Sequence, residues 1–266
     1  MNSCRTALAG LVIALSAPAP ATSQDTQTAT AFGSTTRSEA ALIGILYDLK
    51  QDQQHKPKKG QYLELIGRFV REGWDEGILN EFYRVTRPLY TTQVFIPLMA
   101  ADEAPRSFGV QDIMKPRMWV VHYKGQVSPP HAGTFRFVGM SDDILAVAVN
   151  GKTALLAQYP AWKELNSVWR DAPRDGIGTP VGPAISGDWF TVKEGQVIDL
   201  DIIVGEYPGA QFGAWLMIEE QGVTYEKDGQ GKPILPVFQL SDSAIPDGRN
   251  PPARKSRPDE LWKGNQ

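Results

Sequence analysis

Met118 to Ala157 reads MWVVHYKGQVSPPHAGTFRFVGMSDDILAVAVNGKTALLA. Met118–Tyr123 is built from aromatic and β-branched residues, which suit a pleated, half-buried surface. Thr134–Val138 puts Phe135 and Phe137 on one face and Arg136 on the other, the period-two alternation of a strand. Ile144–Val149 runs into Asn150-Gly151 and resumes as Lys152–Leu156. Asn-Gly between two apolar runs marks a two-residue hairpin, because both residues tolerate the positive φ of a type I′ turn.

The same period extends in both directions. Trp189–Val192, a Lys193-Glu194-Gly195 turn and Val197–Val204 predict a further hairpin, followed by a strand over Phe212–Glu219 and a last one over Pro236–Leu240. Upstream, Leu89–Ile96 predicts a strand that ends at Pro97. Before it the period changes. Tyr62, Leu65, Ile66, Phe69 and Val70 form one helical stripe within Gln61–Arg71, and Ile78, Leu79, Phe82 and Tyr83 form another within Glu76–Arg84. Ala40–Leu49 is a short apolar run that periodicity alone leaves open between helix and strand. Short strands at regular spacing predict a mainly β fold, an antiparallel β-sandwich or barrel over 40–240 with a helical insert at 61–84.

The ends differ from this domain. Met1–Arg5 is polar with one positive charge, Thr6–Ala17 is small or apolar, and Ala19-Pro20-Ala21 fits a small-x-small cleavage site. This predicts a signal peptide over 1–21 and hence an exported chain, periplasmic or extracellular. The apolar run is shorter than the ~20 residues of a membrane span. Residues 22–39 are expected to be a disordered leader and 241–266, polar and Pro-rich, a disordered tail. The lone cysteine, Cys4, leaves with the signal. Lys and Arg total 27 against 30 for Asp and Glu, so no basic footprint for nucleic acid exists. Three histidines, His55, His122 and His131, leave few routes to histidine-dependent catalysis. No Gly-x-Ser-x-Gly, His-Glu-x-x-His or phosphate-loop pattern occurs, so an enzyme is not expected.

The opening stretch resembles the domain family named for the fourteen-kilodalton segment of the anthrax protective antigen. The matching residues are Trp119, Gly125, Pro129, Pro130, Gly133, Thr134, Phe135, Phe137, Ser141, Asp142, Asp143, Asn150 and Gly151. The family's opening strand is similar to Leu42–Tyr47, which tips that segment towards strand, and the resemblance covers about Ala41 to Gln221. It implies a β-sandwich carbohydrate-binding module. In the family's adhesin branch the adjacent Asp pair holds a calcium ion, which in turn holds sugar hydroxyls. The third ligand there is an Asn beyond the strand matching Val197–Val204, a place taken here by Glu206. Ile144 also departs from the pattern, which usually has Gly after the Asp pair.

Successive side chains of an extended chain point to opposite faces, so Asp142 and Asp143 can meet one ion only across a sharp bend or a cis peptide. Calcium suits such a place, because it takes 6–8 oxygen ligands and removes the repulsion between the carboxylates. An Asx turn, in which Asp accepts from an amide two residues on, also explains Ser-Asp-Asp before a strand. Trp162 and Trp169, in a long irregular segment, are candidates either for stacking on sugar rings or for covering the sandwich edge. Metal-ligand candidates are therefore Asp142, Asp143 and Glu206, with Trp162 and Trp169 added for a glycan or polysaccharide partner. The alternative is a structural module of the cell envelope with no sugar site, docking a protein partner through the insert.

Overall fold

The computed structural model describes residues 29–158, 174–180, 182–245 and 253–265, with the side chains of 174–176 left aside. Two antiparallel sheets face each other. The first has the order β2 (Tyr83–Arg84), β1 (Leu42–Asp48), β5 (Trp119–Ser128), β12 (Ile198–Glu206), β7 (Ile144–Val149) and β8 (Lys152–Gln158). β3 (Leu89–Thr91) also pairs with β1, and β16 (Lys263–Gly264) with β5. The second has the order β4 (Phe95–Ala100), β13 (Gln211–Glu220), β6 (Gly133–Asp142), β10 (Gly182–Ser186) and β9 (Arg174–Thr179). There β11 (Phe190–Val192) pairs with β6. β14 (Leu235–Pro236) and β15 (Ala253–Arg254) form a short parallel pair outside both sheets. The inner faces bury one continuous apolar core that includes Trp119, Phe137, Leu145, Ile202 and Leu216.

The mainly β sandwich is as expected. Asn150 and Gly151 both take positive φ, 50° and 73°, between the paired strands β7 and β8. The ambiguous Ala40–Leu49 run is the strand β1. Its pairing with β5 is enabled by Gly44, where a Cβ would lie 2.5 Å from the Tyr123 ring.

Other boundaries move. Leu89–Ile96 is two strands, β3 in the first sheet and β4 in the second, because the chain changes sheets at Thr92–Val94. Pro97 lies inside β4, which is an edge strand and so can spare one N–H. Trp189–Val192 and Val197–Val204 do not form a hairpin. β11 pairs with β6 and β12 with β5 and β7, so the Lys193–Gly195 turn crosses between sheets. The second predicted helix is shorter than its stripe. α1 spans Tyr62–Arg71 and α2 only Glu76–Asn80, since Tyr83 and Arg84 pair with β1 instead. A short helix, α3 (Glu103–Ser107), has no counterpart in the apolar pattern.

The two insert helices cover the outer face of the first sheet. Tyr62, Ile66, Phe69, Trp74 and Ile78 pack there against Val120, Ile144, Ala146 and Ile203, a second core behind the first. His122 lies beneath them, buried and bonded to Asp201 at 2.7 Å. Among the described residues no helix is long and apolar enough to cross a membrane.

Both ends expected to be disordered contribute to the fold where they are described. In the leader, Phe32 is buried and packs on Trp119 and Phe212. In the tail, Trp262 is buried among Phe135, Phe190 and Phe238, and Lys263–Gly264 adds a strand to β5. Composition misjudged these segments because a single anchoring aromatic outweighs many polar neighbours when the sandwich offers it a slot.

Candidate metal centre

Asp142 ends β6 in the second sheet and Ile144 begins β7 in the first, so the chain crosses the sandwich within one residue. The Asp142–Asp143 peptide bond is cis. The backbone of Asp143 is fixed by its N–H, which donates to the Gly205 carbonyl at 2.9 Å. One carboxylate oxygen of Asp143 accepts from the Tyr207 N–H at 2.8 Å. That donor is 64 residues away, so the Asx-turn alternative, which needs an amide two residues on, does not describe this bond.

Glu206 closes the site from β12. It stands opposite Trp119 of β5 in register, and its Oε1 accepts from the Gly209 N–H at 2.7 Å. Gly209 has a φ of +84° and lies so near the Pro116 carbonyl that a Cβ would sit 2.9 Å from that oxygen, so the turn that aims this N–H needs glycine. The other carboxylate oxygen, Oε2, is buried and has no hydrogen-bond partner among the described residues. Asp142, Asp143 and Glu206 each present an oxygen within 4.8 Å of the others'. Asp143 is 2% exposed and Glu206 1%, while Asp142 is half-buried at the mouth.

The electrostatics follow from crowding three acids away from water. Burial, then the negative charge of Asp143, pushes Glu206 up to about 9, against the pull of the Gly209 N–H. Burial, the charge of Asp143 and a hydrogen bond with it push Asp142 up to about 7. A cation among the three removes these penalties at once. The donor set is wholly oxygen, which suits a hard divalent ion such as calcium better than a soft one. The orphaned Glu206 Oε2 is a buried acceptor that such an ion would satisfy. The triad could therefore hold a metal ion.

The raised values predict a pH dependence with a definite sign. Without a cation, the folded protein keeps protons on Glu206 and Asp142 that the unfolded chain has already released. Between the ordinary carboxylate range and about 9 the folded state thus binds more protons, and stability falls as pH rises. In chelator, Tm is expected to drop by roughly 5 °C between pH 5.5 and 8.5, with the half-exposed Asp142 contributing the smaller part. Excess calcium should flatten the profile. Thermal melts across that range check this, and a Tm that rises with pH in chelator would show both groups already ionised in the fold.

The structure thus brings together Asp142, Asp143 and Glu206. Trp162 and Trp169 lie outside the described residues. Two neighbours were not singled out in the sequence, Tyr207 and Tyr62, whose rings stack at 5.3 Å beside the triad. Tyr62 stands in the sequence only as one member of an apolar helical stripe, and nothing local marks its role.

No family model and no curated protein matches the chain. Among solved structures it is similar to a PA14 sugar-binding domain from an RTX adhesin, at 14% identity over 70% of this chain and 93% of that one, with a TM-score of 0.45. It is also similar to the PA14 domain of the MpAFP antifreeze protein, at 12% identity over 70% and 84% of the two chains and a TM-score of 0.41. A third similar structure is the epithelial adhesin 6 A domain from Candida glabrata in complex with Galb1-3GlcNAc, at 11% identity over 74% and 92% and a TM-score of 0.36.

Proposed function

We propose that this chain is an exported, non-catalytic sugar-binding module that holds calcium between Asp142, Asp143 and Glu206 and presents it to a glycan. The observation that carries the reading is the convergence of three carboxylates, two of them buried, around an acceptor with no partner among the described residues. Calcium takes 6–8 oxygens. Three side chains leave coordination positions open at the mouth, where Asp142 is half-exposed, and a pair of neighbouring sugar hydroxyls has the right chemistry to fill them. The resemblance of Met118–Ala157 to the protective-antigen family supports the same assignment, as does the signal-like segment 1–21 for export. Trp162 and Trp169 remain candidates for stacking on the ring of such a sugar.

The spacing of the acids supports a binding role over hydrolysis. Carboxyl pairs that cleave glycosides stand ~5–5.5 Å or ~6.5–9.5 Å apart, flanking the bond they break. Here one oxygen of each of three acids comes within 4.8 Å of the others, with Asp143 and Glu206 buried, so the carboxylates converge on one point instead of flanking a bond from two sides. The expected result is that polysaccharide or arrayed glycans retain the protein in millimolar calcium and release it in chelator. Retention that chelator leaves unchanged would overturn the calcium-assisted reading.

A further inference from the structure

The helical insert reaches the acidic site through one side chain. Tyr62, the first residue of α1, is fully buried, and its hydroxyl donates to the Trp119 carbonyl at 3.0 Å. Trp119 is the residue that faces Glu206 across β5 and β12. The hydroxyl occupies the space above Gly205, the residue before Glu206, where a Cβ would lie 2.2 Å from it. Gly205 also supplies the carbonyl that holds the Asp143 N–H. The Tyr62 ring stacks on Tyr207, whose own N–H holds the Asp143 carboxylate. The negative charges of Asp143 and Glu206 add to burial in raising the Tyr62 hydroxyl well above its usual range, as their proximity requires.

Both acidic strands then lead into the insert's core. Ile144 follows Asp143 and is fully buried among the insert residues, and Tyr207 follows Glu206 and packs against the same group. This gives a physical reason for Ile144 at a place where Gly is usual: the insert covers that position and fills it. The Asp142–Ile144 crossing and the Glu206–Gly209 turn therefore share one contact surface with α1.

We propose that Tyr62 is a positioning residue for the triad, and that cation binding and docking of the helical insert are one coupled equilibrium. The inference rests on the cation reading above. An ion that draws Asp143 and Glu206 together fixes Gly205 and Tyr207, the two surfaces that Tyr62 grips. By reciprocity, an insert that is well docked tightens the site.

The test uses the whole chain and terbium as the ion, since terbium emits when an excited Tyr or Trp lies close to it. Calcium competition against terbium emission reads affinity, and amide hydrogen exchange reads docking. In the wild type, calcium is expected to slow exchange across Tyr62–Arg71 about tenfold, and by more than in β11, which lies on the other sheet. Tyr62→Phe keeps the ring stack and removes the hydroxyl. It should weaken calcium about fivefold, the worth of one buried hydrogen bond, and shrink the protection of α1. A wild type that binds terbium, with Tyr62→Phe binding equally and α1 exchange unmoved by calcium, overturns the coupling alone. A wild type with no terbium emission overturns the cation reading and the coupling with it.

Discussion

Asp143→Asn is expected to raise Tm in chelator and to abolish the rise in Tm that calcium gives the wild type. The substitution is nearly isosteric, and the amide oxygen of Asn can still accept from the Tyr207 N–H. What disappears is the charge that helps push both Asp142 and Glu206 upward. Above about pH 7, where Asp142 gives up its proton, that charge repels its neighbours when no cation is bound, so its loss relaxes the site. With calcium at about a hundred times its dissociation constant, the wild type gains about 2.7 kcal/mol. For a domain of this size that is roughly 5–10 °C. The variant lacks a negatively charged ligand at a buried corner of the site and should gain almost none of it. The two curves therefore cross: variant above wild type in chelator, below it in calcium. Thermal melts of both proteins in chelator and in millimolar calcium measure the effect. Identical shifts for both would mean that Asp143 serves only its hydrogen bond and that the triad holds no ion.

That crossing separates two meanings of a short motif that is visible in the chain. Ser141-Asp142-Asp143 before an apolar run has the same appearance whether it makes a local turn or half of an ion site. The distinction lies in the Tyr207 N–H and the Glu206 carboxylate, which arrive from a strand some sixty residues on. Only the resemblance to a known family pointed to Glu206, through its place beyond the strand expected over Val197–Val204, which the structure extends to Glu206 itself. The strands of the central stretch are legible because alternation and Asn150-Gly151 are local signals. Sheet membership is not local. Nothing at Thr92–Val94 or Lys193–Gly195 announces that the chain is leaving one sheet for the other. Tyr62 was illegible for a related reason: its stripe predicts burial, but burial against what is decided by the whole sandwich. Ile144 shows the converse, a departure from a family pattern that becomes intelligible once the insert is seen to cover it.

Trp262→Ala is expected to cost about 3–5 kcal/mol, the usual penalty for emptying a buried tryptophan site, and so to lower Tm by roughly 10 °C. Trp262 is 1% exposed. Its ring meets Phe135 edge-on at 5.3 Å, with Phe238 at 5.6 Å and Phe190 at 6.3 Å, and the backbone N–H of Trp262 donates to the Gln239 carbonyl at 3.0 Å. The flanking chain is tied down on both sides. Arg254 pairs with Glu260 through two guanidinium nitrogens, and beyond Trp262 the Asn265 N–H donates to Gln126 at 2.9 Å. Ending the chain before Ala253 should therefore destabilise at least as much as Trp262→Ala, whereas Trp262→Phe, which leaves a smaller void, should cost less. A disordered tail would make all three changes silent, and an unchanged Tm for Trp262→Ala would restore that view. The position of Trp262 adds a sharper requirement. It packs on Phe135 near the start of β6, while Asp142 ends the same strand seven residues on, about 23 Å away at the rise of an extended chain. Sites so far apart with no shared partner contribute nearly additively. Trp262→Ala should thus start from a lower Tm yet keep the full calcium increment, while Asp143→Asn keeps the fold and loses the increment, so that one end of β6 reports stability and the other reports the ion.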